Sequence, residues 1–440
     1  MEKFRVAILG CGTVGGGVAK ILIELKEDLK KKAGKEIELA KIVDLFPLNS
    51  SKRHNIPLTY FAGNDKEELT KDEANLYIDE ILNDSTIDIV IETIGGSSKY
   101  ILDLALRILK SKKHLVTANK ALLAKYYNEI FTTAEENKKI IGFEASVCGA
   151  IPIIKGIKEC FTGDEIISIS GIMNGTSNYI LTKMNEEGLS FEDALKKAQE
   201  LGYAEADPTL DINGHDAGHK LSILLRLAFG IDVKFEELSI KGIDNITKDD
   251  LDFAKEMDST IKLICYAKKD NHKIYATVQP MMVKNSNFLS MIGGSTNAVK
   301  LQNRYSQEHI LIGKGAGSLE TGSAIVSDIV FIARYEDKIL TKGHLNPLKL
   351  VNELEIEFPY NIIFETEDKP GITGLTTTAI GNQGINIDTV GHNRHNYKKA
   401  IFSIATMPCK LSQINNAIKE IKEKRPDILL KEPKVIPILY

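Results

Sequence analysis

A short apolar run, Phe4-Arg5-Val6-Ala7-Ile8-Leu9, stops at Gly10-Cys11-Gly12-Thr13-Val14-Gly15 and gives way to a helical pattern reaching about Lys32. Strand, glycine turn and helix in that order constrain the fold more than any other stretch of this chain. In Gly10-x-Gly12-x-x-Gly15 the first glycine permits a tight turn, the second lets the backbone approach a pyrophosphate, and the third allows the helix to sit close to its strand. The helix N-terminus then offers free N–H groups to phosphates. Further strands are predicted at Glu38 to Val43, ending at Asp44, at Ile87 to Ile91, ending at Glu92-Thr93, and at His114 to Thr117, ending at Ala118-Asn119-Lys120. Helical stretches at Lys71 to Leu82 and Lys99 to Ser111 separate them. Strands alternating with helices imply right-handed crossovers and a parallel sheet covered on both sides.

This is a Rossmann-type α/β domain, and the predicted dinucleotide site comprises Gly10, Gly12, Thr13, Val14, Gly15 and Asp44. Thr93, Ala118, Asn119 and Lys120 join it at the carboxyl ends of strands, where open α/β sheets bind ligands. Asp44 can accept hydrogen bonds from a ribose 2′-hydroxyl, which argues for NAD, whereas Lys52 and Arg53 lie close enough in sequence to neutralise the 2′-phosphate of NADP. The choice stays open. Gly313 to Ser318, followed by a helix from Thr321 to Arg334, is expected to return the chain to this domain (1–149 completed by 313–342), with Gly317 near the cofactor.

From about Ala150 the texture changes to longer strand-like runs, Glu165 to Ile172 and Lys273 to Val283, mixed with helices at Phe191 to Leu201 and His215 to Phe229. A separate α+β substrate-binding and dimerisation domain over 150–312 is expected. Between Gly202 and Lys220, nineteen residues hold Glu205, Asp207, Asp211, Asp216 and Lys220. Asp216 and Lys220, four apart, share one face of a helix and can pair, while Glu205 and Asp211 lie in a turn-rich segment where loop residues converge on a ligand. The pattern reads as the pocket of a small-molecule enzyme; an exposed acidic loop beside a surface ion pair is the plainer alternative. After a polar linker at 343–358, strands and helices follow as βαββαβ over 359–440, a ferredoxin-like module.

The 440 residues suggest about three domains at ~150 residues each. A net charge of −4 gives no reason to expect nucleic acid or an anionic membrane as partner. Five scattered cysteines without metal-ligand spacing favour reduced thiols in the cytoplasm. Neither a secretory signal nor a run of ~18 apolar residues is expected.

Four segments together resemble homoserine dehydrogenase over residues 4–340: the glycine turn, Thr117-Ala118-Asn119-Lys120, Gly171-Ile172-Met173-Asn174-Gly175-Thr176-Ser177-Asn178, and the run from Gly202 to Lys220. The resemblance implies NAD(P)-dependent interconversion of L-aspartate 4-semialdehyde and L-homoserine, on the route to threonine and methionine. By position it implies that Lys220 donates the proton to the carbonyl oxygen and that Lys120 lies between nicotinamide and substrate. It further implies that Glu205, Asp211 and Asp216 hold the amino acid and that Gly175 and Thr176 offer it donors. A second likeness, at Glu144 to Ile151, implies a sodium ion on main-chain oxygens of Glu144, Val147, Gly149 and Ile151; a plain strand-to-turn connection explains the same residues. The carboxyl-terminal module resembles an ACT domain, which implies edge-to-edge pairing and an amino-acid effector near Gly371, Ile372, Asn386 and Ile387, or dimerisation alone. A homodimer or homotetramer is expected. Deletion after about residue 352 is expected to retain catalysis.

Two readings from other classes compete. An acylating semialdehyde dehydrogenase would need a thiolate, and Cys148 is the one cysteine near the inferred domain junction. A nonenzymatic nucleotide and amino-acid sensor leaves the cluster from Glu205 to Lys220 without purpose.

Overall fold

A computed structural model describes residues 2–336, 346–391, 394–396 and 399–440. The chain divides into two units, one of residues 1–166, 219–235 and 311–346, the other of 167–218, 236–310 and 347–440.

In the first unit the apolar runs become five parallel strands: β1 (Lys3–Leu9), β2 (Glu36–Val43), β3 (Ile89–Glu92), β4 (His114–Thr117) and β5 (Ile141–Gly142), in the order β2-β1-β3-β4-β5. The order reverses between β1 and β3, and such a switch point opens a crevice at the carboxyl ends of the strands. Helix α1 (Thr13–Glu24) follows β1 and α2 (Pro47–His54) follows β2. Helix α3 (Lys120–Glu136) follows β4. The core joins Val6 and Ile8 of β1 to Val18 and Leu22 of α1 and to Ile325 and Ile329 of a helix from the returning segment. The single helix expected to Lys32 is two, because the backbone leaves helical angles at Leu25 and resumes at Lys26.

The second unit is built on a long mixed sheet. Strand β6 (Ile166–Ile172) leads into helix α4 (Gly175–Glu187), and helix α5 (His215–Phe229) follows the acid-rich stretch. Both unit boundaries near α5 cut through elements, one at Gly218/His219 inside this continuous helix. Strands β7 (Ser259–Asp270) and β8 (Lys273–Lys284), twelve residues each, form an antiparallel hairpin, and β9 (Thr296–Asn303) and β10 (Glu308–Lys314) carry the chain towards helix α6 (Ser318–Tyr335). The carboxyl-terminal module comprises β11 (Tyr360–Glu367), α7 (Ile372–Asn382), β12 (Ile387–Val390), β13 (Lys399–Thr406), α8 (Leu411–Lys424) and β14 (Lys434–Leu439). The strands run β10-β9-β6-β7-β8-β14-β11-β13-β12 across the sheet.

The module therefore has the expected βαββαβ order, but it is not a detached domain. Its strand β14 lies parallel to β8, with Ile438 opposite Met282 and Leu439 opposite Val283. One apolar cluster contains Ile264, Met281 and Val283 of the hairpin together with Ile362, Phe364, Phe402 and Ile404 of the module. Residues of the expected 150–312 and 359–440 domains share this sheet and this core. Residues 337–345, which include part of the expected linker and of the 313–342 segment, lie outside the described residues. Of the remaining linker, Lys349-Leu350 adds a short parallel strand beside Lys273-Ile274.

Candidate active site

The glycine turn is built for close approach. Gly10 has φ +91°, a conformation that favours glycine, and a Cβ on Gly15 would fall 2.0 Å from the Gly10 carbonyl oxygen. A Cβ on Gly12 would meet nothing within 4 Å, so the space in front of α1 is open at the residue that precedes its first turn. Gly12 is the N-cap, and no side chain caps this end, which leaves a helix terminus suited to an anion. Thr93 closes the turn from β3, its N–H donating to the Leu9 carbonyl (2.9 Å) and its hydroxyl to the Gly10 carbonyl (2.7 Å). Gly317, φ +137°, precedes α6, and the next residue, Ser318, donates its hydroxyl to the Thr13 carbonyl at 2.6 Å. These residues fit a dinucleotide.

Asp44 is engaged by groups of the protein itself. Its carboxylate receives the Cys11 N–H at 2.6 Å, the Phe46 N–H at 2.9 Å and the Ser50 hydroxyl at 2.9 Å. It braces the glycine turn from the end of β2. Burial and the Asp44 charge push the Cys11 thiol up to about 12, which keeps it in the thiol form.

At the ends of β3 and β4 a buried carboxylate that sequence reading passes over, Glu92, organises the loops. It accepts the Thr117 hydroxyl (2.7 Å) and the N–H groups of Ile94 (2.9 Å) and Gly95 (3.0 Å). Asn119 caps α3 by accepting the Leu122 N–H at 3.1 Å, and its own amide donates to the Gly96 carbonyl. Ala118 and Lys120 are half-buried beside it, with Lys120 the first residue of α3. Further along the same helix, Asn128 accepts from Arg226 of α5 and donates to Asp232, which also pairs with Arg226. The Arg226 guanidinium lies 4.3 Å from the centre of the Tyr127 ring. The two lysine-bearing helices are thereby fastened to each other within the first unit.

In the second unit, the motif at 174–177 gathers the acid-rich stretch. Asn174 caps α4 by accepting the Ser177 N–H at 2.8 Å, and its side-chain nitrogen donates to Asp211 at 2.7 Å and Asp216 at 2.8 Å. The Thr176 hydroxyl donates to the Tyr203 carbonyl (2.6 Å) and the Ser177 hydroxyl to the Asp211 carbonyl (2.8 Å). Gly175 admits no side chain, because a Cβ there would lie 2.7 Å from the Ser295 carbonyl oxygen. Asp216 and Lys220 are both 7% exposed and stand one turn apart on α5. Glu205 is exposed, on a stretch held by its backbone through the Gln199 amide. Asn174 also escapes a reading for acids and bases, although an Asn directly before a helix start is a capping signal.

The segment from Glu144 to Ile151 makes a tight turn in which Cys148 (φ +55°) and Gly149 (φ +49°) are both left-handed. The Glu144 carboxylate caps the next helical turn through the N–H groups of Ile154 and Lys155, each at 2.8 Å. Burial and the nearby Asp328 raise its pKa to about 7. Cys148 is fully buried. Among the described residues no group of three or more His, Cys, Asp or Glu side chains is placed to hold a metal ion, and no helix is long and apolar enough to cross a membrane. In the module, a cavity of about 340 Å3 is lined by residues 366–374 with Ala400 and Phe402. It takes in Gly371 and Ile372, whereas Asn386 and Ile387 lie outside it, at the start of the edge strand β12.

Comparison with known proteins gives this geometry its context. The model of the homoserine dehydrogenase NAD-binding domain matches residues 10–144, and that of homoserine dehydrogenase matches 152–330. A homoserine dehydrogenase of Helicobacter pylori is 40% identical over 440 residues, 99% of each chain. The chain belongs to the homoserine dehydrogenase family. Like other homoserine dehydrogenases it is an NAD(P)-dependent oxidoreductase acting on the alcohol group of homoserine. The crystal structure of a homoserine dehydrogenase from Thiobacillus denitrificans superimposes with a TM-score of 0.89 at 33% identity, covering 100% of this chain and 98% of that one. A hyperthermophilic archaeal homoserine dehydrogenase in complex with NADPH is 27% identical, TM-score 0.61, over 74% of this chain and 97% of its own. Homoserine dehydrogenase chemistry removes the need for a thiolate at Cys148, and the sensor reading falls with it.

Proposed function

We propose that this homoserine dehydrogenase holds the amino-acid end of its substrate with Asp211, Asp216 and Glu205, and the reacting oxygen with Lys220 and Lys120. The observation that carries the reading is the convergence of Asp211 and Asp216 on one amide at the start of α4, with Lys220 one turn beyond Asp216. Two carboxylates drawn together attract the substrate ammonium, while Gly175 and Thr176 open a helix whose N-terminus favours a carboxylate. When bound, the nicotinamide exchanges a hydride with the reacting carbon. Lys220 gives a proton to the aldehyde oxygen in reduction and takes one from the alcohol in oxidation. Lys120 stabilises negative charge on that oxygen more than it stabilises the neutral aldehyde. Steady-state kinetics of Asp216→Asn test the substrate end. The homoserine KM is expected to rise roughly tenfold or more, the scale of a lost hydrogen bond to a charged group, with the cofactor KM unmoved. A change in the cofactor KM alone would place Asp216 elsewhere.

NADP is the preferred cofactor in this reading. Asp44 spends its carboxylate on three donors of the protein, and Lys52 and Arg53 are exposed in the last turn of α2, which follows Asp44 in the chain. A higher kcat/KM with NADP than with NAD is expected, and the reverse ratio would return Asp44 to the ribose. In the same reading the turn at 144–151, with its left-handed residues Cys148 and Gly149, holds a sodium ion on carbonyls of Glu144, Val147, Gly149 and Ile151. The carboxyl-terminal module acts as an ACT domain, taking an amino-acid effector in the cavity at Gly371 and Ile372. Its edge strand β12, with Asp388, Thr389 and Val390 exposed, pairs with a second copy of the chain.

A further inference from the structure

We infer that Asn174 is a positioning residue that assembles the ammonium-binding end of the substrate pocket by holding Asp211 and Asp216 together. The inference rests on the reading above that these two acids grip the amino acid. Asn174 is 4% exposed, and its amide orientation is set by the fold. The oxygen faces the Ser177 N–H inside the first turn of α4, so the NH2 group points away from the helix, at Asp211 and Asp216. The three bonds use both amide protons and one lone pair. Capping alone does not call for this residue, because Ser, Thr and Asp cap helices about as well. Of these four only Asn caps with an oxygen and still offers two donors.

The two acids are 37 and 42 residues away in sequence and repel each other when both are charged. A neutral amide between them offsets part of that repulsion without cancelling the charge, so the pair is preorganised for a cation. A lysine at this place would cancel the charge, and an acid would add to it. The hydroxyls of Thr176 and Ser177 bind carbonyls of the same stretch, which fixes the backbone while Asn174 fixes the carboxylates.

The test compares Asn174→Asp and Asn174→Ser with the parent enzyme and with Asp216→Asn, measuring homoserine KM, NADP KM, kcat and melting temperature from pH 6 to 9. Asn174→Asp retains the cap but sets a third carboxylate against Asp211 and Asp216, with Lys220 one turn on as the nearest cation on α5. The homoserine KM at pH 8 is expected to rise roughly tenfold or more, the NADP KM staying unchanged. Clustered carboxylates raise one another's pKa, so on lowering the pH to 6 the new group takes a proton, regains one donor, and recovers part of the loss. The parent, which has no third carboxylate there, is expected to show no such recovery. Asn174→Ser keeps a cap without the NH2 and is expected to raise the homoserine KM roughly threefold or more, with no pH signature. Should Asn174→Asp fail to fold, the serine variant decides by its KM. Variants with the parent's homoserine KM, in an enzyme that Asp216→Asn impairs, would reduce Asn174 to a helix cap. An unimpaired Asp216→Asn would instead overturn the assignment of the acids themselves, and this inference with it.

Discussion

Lys220→Ala is expected to lower turnover by at least ~100-fold, the lower end of what a positioned general acid contributes, with the cofactor KM little changed. Lys220 is almost fully buried on α5, one turn after Asp216, so the carboxylate stands on the same face of the helix, where it can orient the ammonium group. When the aldehyde carbon gains hydride, its oxygen gains negative charge, and the ammonium interacts with that charge far more strongly than with the neutral carbonyl. On the proposed assignment, alanine leaves Lys120 to face that charge. The loss should therefore appear in kcat in both directions, because the group that protonates the alkoxide also deprotonates the alcohol. The cofactor is unaffected because its turn, Gly10 to Gly15 braced by Asp44 and Thr93, contains no part of α5. Steady-state kinetics in both directions, with a melting curve to show that α5 still packs through Arg226, check the result. A defect confined to the nucleotide KM would move Lys220 to the cofactor.

What the sequence makes legible depends on how local the cause is. The run from Phe4 to Gly15 can be read directly, since the demand at Gly15 comes from the Gly10 carbonyl five residues before it and that at Gly10 from its own φ of +91°, even though Thr93, far off in the chain, also crowds Gly10. Helix α4 has no comparable signature. Thr176 to Thr182 are all buried, so the helix shows no polar face, and amphipathic periodicity is what betrays a helix in a sequence. The acids at 205–216 stand out by composition, but what brings Asp211 and Asp216 to one point is Asn174, far off in the chain and uncharged. Glu92 closes a strand like any other acid until the fold turns the Thr117 hydroxyl and two loop N–H groups towards it. A unit boundary inside α5 is not legible either, because the helical pattern runs unbroken from His215 to Phe229 and Gly218, at the boundary, does not interrupt it. The βαββαβ order of the last eighty residues looks self-sufficient for the same reason: its pattern is local, whereas the partner of β14 is more than 150 residues upstream.

Deleting everything after Asn352 is expected to destroy the stable fold, in contrast to the regulatory loss that a detachable module would produce. The cut removes β14 from the edge of β8 and opens a row of unpaired backbone groups at Met282 and Val283, a template for aggregation. It also uncovers the cluster side of Ile264, Met281 and Val283, and it strips Tyr266 of its edge-on ring partner Phe358, 4.9 Å away. Each fully buried side chain of that kind is worth about 1.5–3 kcal/mol, so exposing a handful consumes most of the ~5–15 kcal/mol that holds an average domain folded. Two polar ties go as well: Lys434 leaves the buried Asp250 without its ion pair, and the Asn287 amide loses the Tyr440 carbonyl. Because β7 and β8 share their sheet with β6, which leads directly into Asn174 and α4, disorder at this edge reaches the strand that delivers the substrate motif. Size-exclusion chromatography and thermal melting of the truncated chain check the expectation. A monodisperse product melting within a few degrees of the full chain, and turning over homoserine, would show that the shared sheet contributes little and that the last eighty residues serve regulation alone.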